Sequence, residues 1–172
     1  HGDWYTDQKV DRILEPGGAL AGMLAARDQG LVDFIGFTSE GANGPASRLL
    51  ASQAFDVLQI CYNLIYQHPY DPSRKAGVIY DAEQLGMGIV TMRPLTSGIF
   101  QKWINRVDPG VEERVDINQA LLSFVLSNPL IDVALIGMRS AGEVRKNVAS
   151  CEDDSFRFDL DDLHTRYIRV DD

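Results

Sequence analysis

The 172-residue sequence contains no apolar run of the roughly 18 residues that a membrane-spanning helix needs. No basic and apolar leader is read at its start. Cysteine is scarce: Cys61 and Cys151 are the only two. Two residues make no disulfide framework, and Cys61, inside an apolar run, reads as a small core residue. A reducing, cytoplasmic location is the expectation. Positive charge is also in short supply, with 16 Lys and Arg against 25 Asp and Glu and a formal net of −9. That balance argues against nucleic acid or an anionic membrane as a partner. No GxGxxG follows a candidate strand and no Walker loop is present. No spaced cluster of His, Cys, Asp and Glu supports a metal site.

Four short apolar runs are present. They are "LVDFIGFTS" (31–39), "FDVLQICYN" (55–63), "MGIVTM" (87–92) and "DVALIG" (132–137). They alternate little between apolar and polar, as strands buried on both faces of a parallel sheet do. Helical signals lie between them. Pro16 and Gly30 bracket one helix and Pro45 opens a second. Asp71-Pro72 suggests a cap and first turn, with Gly86 as the stop. Asp116 with Gln119, and Ser140 with Glu143, resemble capping boxes. Residues 100–115 read as the longest loop. From Glu152 to Asp172 there are 8 acidic and 3 basic residues, which suggests a solvated acidic tail with His164 at its surface. No low-complexity linker interrupts the chain, so residues 1–172 read as one domain.

Helix and strand in alternation predict an α/β fold with right-handed crossovers and a parallel sheet. Polar residues gather after every strand: Thr38 and Ser39, then Asn63, then Arg93 to Gly98, then Arg139 and Ser140. A rim with chemistry in every loop points to a (β/α)8 barrel. Four strands cannot close such a barrel, which takes about 250 residues. The chain therefore reads as the second half of a TIM barrel, with two open strand edges. Either a missing N-terminal half or a second copy is needed to close it.

The third and fourth loops together hold Arg93, Thr96, Ser97, Lys102 and Arg139. The helix starting near Ser140 points its N-terminus at the same rim. Free amides and a positive dipole end favour an anion there. A phosphate or pyrophosphate ligand is the expectation. The competing reading pairs Arg93 and Arg139 with rim carboxylates.

These residues resemble the aldo/keto reductases, from the end of that family's fourth strand onward. "GLVDFIGFTS" is similar to its fifth strand and "FDVLQICYN" to its sixth. "GIVTMRPLTSGIFQK" is similar to the seventh strand and its loop, and "DVALIGMRSAGEVRKNV" to the eighth strand and its helix. The resemblance implies reduction of a small aldehyde or ketone by hydride transfer from NADP(H), with NAD less favoured. It places Thr38, Ser39 and Gln59 at the nicotinamide amide and Met92 against the ring. Arg93, Pro94, Leu95, Ser97, Gly98 and Lys102 fall in the pyrophosphate loop. Gly137, Met138, Arg139 and Asn147 fall at the adenosine end, where Arg139 is the candidate for a 2′-phosphate. His1 matches a catalytic histidine that would orient the carbonyl, and Trp4 and Tyr5 would line the substrate pocket. The family's proton-donating Tyr, Lys and Asp have no counterpart in this sequence. Two alternatives stay open: a non-catalytic NADP-binding regulatory subunit, and a self-assembling half-barrel.

Overall fold

A computed structural model describes residues 5–41 and 43–167. Four parallel strands form one sheet in the order β1-β2-β3-β4. They are β1 (Gly36–Ser39), β2 (Val57–Cys61), β3 (Gly88–Met92) and β4 (Val133–Ala134). Helices fill the connections: α3 (Gly44–Ala51), α4 (Val78–Gln84) and α6 (Ile117–Leu126), with α7 (Ala141–Glu152) after β4. Each strand pairs in parallel with the next one in sequence, and a helical segment makes each crossover.

The sheet has two unlike faces. Phe37, Leu58, Ile60 and Ile89 are buried against Leu49, Leu50, Ile79, Ala82, Phe124 and Val125 of the helices. On the other face, Thr38, Gln59, Val90 and Val133 stand in one register row. Thr38, Gln59 and Val90 are half-buried and Val133 is exposed. Of the two coverings expected for these strands, this half of a barrel supplies one. The helices cover one side, and the row on the other side has no layer above it among the described residues.

Local chemistry explains where elements start and stop. The first apolar run begins its strand only at Gly36, because Gly30 and Leu31 are used to end α2 (Ala19–Asp28). The Gly30 and Leu31 amides donate to Arg27 O and Ala26 O, which is a Schellman stop. Gly86 and Met87 end α4 in the same way, on Glu83 O and Ala82 O. Pro45 lies in the first turn of α3, whose cap is Asn43. Asp116 and Ser140 accept from the amides of Gln119 and Glu143, so both predicted caps are made.

Several expectations need correction. Asp71-Pro72 does not open a helix. Asp71 pairs with Ala76 in an antiparallel bridge, and its carboxylate accepts from Ser73 Oγ and the Arg74 amide. That closed turn delays α4 to Val78. The cap there is Gly77 at φ 109°, where an added Cβ would lie 2.4 Å from Pro69 O. Residues 100–115 are not a loop. Phe100 and Ile104 of α5 (Ile99–Val107) pack on Val111, Ile117 and Leu121. An additional helix, α1 (Asp7–Leu14), sets Val10 in the core. As far as Tyr167, the acidic segment is helical in part and returns to the core instead of trailing into solvent. Leu160 of α8 (Leu160–Tyr167) packs on the core. His164 keeps 19% side-chain exposure and lies 3.6 Å from Asp71. Among the described residues no helix is long and apolar enough to cross a membrane.

Candidate functional site

Most of the predicted site residues that the structure describes lie where the strands end and the loops to α3, α5 and α7 begin. Gln59 instead lies within β2, Lys102 and Asn147 lie within the helices that follow β3 and β4, and Tyr5 precedes the first helix. Thr38 and Gln59 are register partners on the uncovered face of the sheet. Gln59 Nε2 donates to Met92 Sδ at 3.5 Å, so the amide and the thioether meet at the end of β2 and β3. Ser39 behaves differently from Thr38. Alternation turns it to the buried face, where its hydroxyl donates to Gly41 O at 2.7 Å. Tyr5 is half-buried beside β1. Burial pushes its phenol up, and a hydrogen bond with the Thr38 backbone pulls it partly back.

The loop after β3 has an unusual backbone. Arg93, Thr96 and Ser97 take φ of 59°, 53° and 53°, and Gly98 follows at 77°. Left-handed conformations at non-glycine residues cost on the order of 1 kcal/mol each and persist only when neighbours hold them. The holding contacts are visible. Thr96 Oγ1, buried, accepts from the Phe100 amide and donates to Gln101 Oε1. Gln101 Nε2 donates to Leu95 O and to Asn118 Oδ1 of α6. Asn63, fully buried, donates to Arg93 O at 2.9 Å while its Oδ1 accepts from the Ile65 and Tyr66 amides. Pro94 is buried and Leu95 half-buried, whereas Ser97 is exposed. Lys102 lies one turn into α5 and is exposed.

Charge on this rim is partly answered from within. Arg93 Nη2 bonds Glu40 Oε1 at 2.7 Å, across the end of β2, and about half of the Arg93 side chain stays exposed. Beneath the pair lies Cys61, whose thiol burial pushes up. After β4, Gly137, Arg139 and Asn147 line a cleft of about 400 Å³ together with Leu95, Glu143 and Lys146. Met138 stands at the back, in a neighbouring apolar recess that Asn147 also lines. Lys146 is bonded to Asp116 of α6. His1 and Trp4 lie outside the described residues.

Three contributors lack a role in the sequence reading. Glu40 is the acidic partner of Arg93, Asn63 anchors the Arg93 backbone, and Gln101 ties the loop to two helices. For Asn63 there was a signal: a buried amide at a strand end must satisfy all its hydrogen-bonding groups, and loops are where partners lie. Glu40 is a rim carboxylate of the kind the competing reading pairs with Arg93, although its distance of 53 residues hides which carboxylate it is.

Solved structures share this fold. A thermostable aldo-keto reductase, Tm1743, in complex with the inhibitor epalrestat, superposes with a TM-score of 0.60 at 19% identity. The match covers 87% of this chain and 52% of that one. The fold is half of an aldo-keto reductase barrel. The holo form of the aldo-keto reductase AKR11C1 from Bacillus halodurans gives the same TM-score at 14% identity, covering 80% of this chain and 50% of that one. The chain thus spans about half the length of the aldo-keto reductases it matches. No family model and no curated protein matches it. In the half-barrel, the sheet face left bare by the helices is the one that lines a barrel's interior, and the loops carrying Arg93 and Arg139 stand on the C-terminal rim.

Proposed function

We propose that this chain is the cofactor-binding half of an NADP-dependent oxidoreductase that reduces aldehydes or ketones to alcohols in the cytoplasm. The observation that carries the reading is the shared rim. Thr38, Gln59 and Met92 meet on the open sheet face, the left-handed 93–98 loop stands beside them, and the Arg139 cleft lies one strand further. The donor set fits a dinucleotide. A primary amide and a hydroxyl stand where a carboxamide would be read, a cation and a pinned loop where a pyrophosphate would lie, and a half-polar cleft where an adenosine would end.

In this reading Gln59 and Thr38 hold the nicotinamide amide, and Met92 presents an apolar surface to the ring. Arg93 exchanges Glu40 for the pyrophosphate. Arg139 and Asn147 take the adenosine end. The nucleotide, when bound, supplies hydride chemistry. The protein's part here is to orient it from one side, with the loop already formed. A proton donor has no counterpart in this chain, so the isolated chain is expected to bind nucleotide without turnover. His1 would orient the carbonyl and Tyr5, with Trp4, would border the substrate.

Titration of the purified chain with NADPH, followed by quenching of tryptophan fluorescence, tests the reading. Saturable binding that Arg93→Met weakens roughly tenfold, about 1.4 kcal/mol, supports it. An unaltered affinity in Arg93→Met, or no binding at all, sinks it. A second reading, a half-barrel that pairs with another copy, is favoured by the uncovered row Thr38, Gln59, Val90 and Val133. Sedimentation at several concentrations separates it: a concentration-dependent dimer supports pairing, and a monomer throughout removes it.

A further inference from the structure

The cleft beside α7 contains an anion of its own. Glu143 lies in the first turn of α7, and its Oε2 accepts from the Arg139 amide at 2.5 Å. Ser140 Oγ accepts from the Glu143 amide at 3.2 Å. The positive helix end that should draw in a phosphate therefore already faces the chain's own carboxylate, which holds the amide just before the Ser140 cap. Two cations share the cleft. Lys146 is committed to Asp116, whereas Arg139 forms no ion pair among the described residues. One unpaired guanidinium and one carboxylate thus stand together in the same small space.

Resting on the nucleotide reading of this rim, we propose that Glu143 is the residue that sets the choice between a free and a phosphorylated ribose. An ionised carboxylate only accepts hydrogen bonds, and ribose hydroxyls can supply them. A ribose phosphate brings nearly two negative charges and no matching donor. Arg139 attracts that phosphate and Glu143 opposes it. The preference for NADP over NAD is the difference between these two effects. The wild-type cleft accepts both nucleotides with a small ratio, where an unopposed Arg139 would give a large one.

Glu143→Gln is the informative variant. It keeps a side-chain acceptor for the Arg139 amide and removes the charge. The probes are 2′,5′-ADP and 5′-AMP, which differ only in the 2′-phosphate and contain only the adenosine end. Calorimetric titration of the full chain, with circular dichroism to show that the variant folds, gives both affinities. The affinity ratio of 2′,5′-ADP to 5′-AMP is expected to rise roughly tenfold in Glu143→Gln and to fall by a similar factor in Arg139→Gln. An unchanged ratio in Glu143→Gln, or an equal gain for both probes, overturns the proposal. So does a wild-type chain that binds neither probe, which removes the nucleotide reading of the cleft as well. If the ratio shifts as expected but NADPH binds no more tightly than 2′,5′-ADP, the role of Glu143 stands, and the nicotinamide end of the proposed function fails on its own.

Discussion

Replacing Asp116 separates two contributions that one carboxylate makes. It caps α6 by accepting from the Gln119 amide at 3.1 Å, and it ties α6 to α7 by bonding Lys146. The ion-pair side chains keep 38% and 55% exposure. Solvent and salt screen such a pair, which leaves it roughly 0.2–1 kcal/mol at low salt. The cap is worth about 1 kcal/mol. Asp116→Asn keeps a good capping acceptor and loses the charge, so its cost should stay under about 1 kcal/mol. Asp116→Ala loses both, roughly 1–2 kcal/mol.

The pH dependence gives an independent check. Burial pushes the Asp116 carboxyl up, but the Lys146 ammonium and the Gln119 and Asn118 amides outweigh it and hold the group below its ordinary range. A carboxyl lowered by folding contributes fully above its unfolded pKa, about 3.9, and the contribution is lost as pH falls through the folded value. Urea unfolding by circular dichroism should therefore show wild type losing stability below about pH 4 more steeply than Asp116→Asn. The reasoning is refuted if Asn destabilises as much as Ala at neutral pH, or if the two acid limbs run parallel.

Two packing predictions accompany it. Leu58 is fully buried between the sheet and its helices, so Leu58→Ala should cost about 2–5 kcal/mol in urea unfolding. A loss near 1 kcal/mol would mean that the helix-covered face is looser than described. Gly77→Ala combines a φ of 109° with a Cβ 2.4 Å from Pro69 O. It should lower stability by about 2 kcal/mol or more, and a change within about 0.5 would show that the turn before α4 adapts.

The sequence made some parts of this molecule readable and hid others for physical reasons. Parallel β/α units announce themselves through runs such as "MGIVTM" and stops such as Gly86, because each signal is local. The caps at Asp116 and Ser140 are local too, and both form. α5 stayed hidden because its Phe100 and Ile104 face a satellite core built from residues beyond the helix itself. Asp71 reads as a helix cap yet closes a turn, because Asp serves an Asx turn as readily as a helix cap. At the site, the residue types on the rim were legible, but not their partners. Nothing near Arg93 in sequence suggests Glu40, and the same face alternation that exposes Thr38 commits Ser39 to Gly41. The composition of the acidic segment likewise says nothing of Leu160 reaching the core.

The strand order has a consequence for how the chain is born. Because β1, β2, β3 and β4 lie side by side in the order of synthesis, each strand can add to the one already made. Each of β2, β3 and β4 meets a strand that has already left the ribosome. Growth of the sheet is vectorial, and its last addition, the two-residue β4, is also its weakest. Amide exchange should be slowest along β2 and β3, which have neighbours on both sides, and fastest at β4, which is two residues long and pairs only with β3 among the described residues.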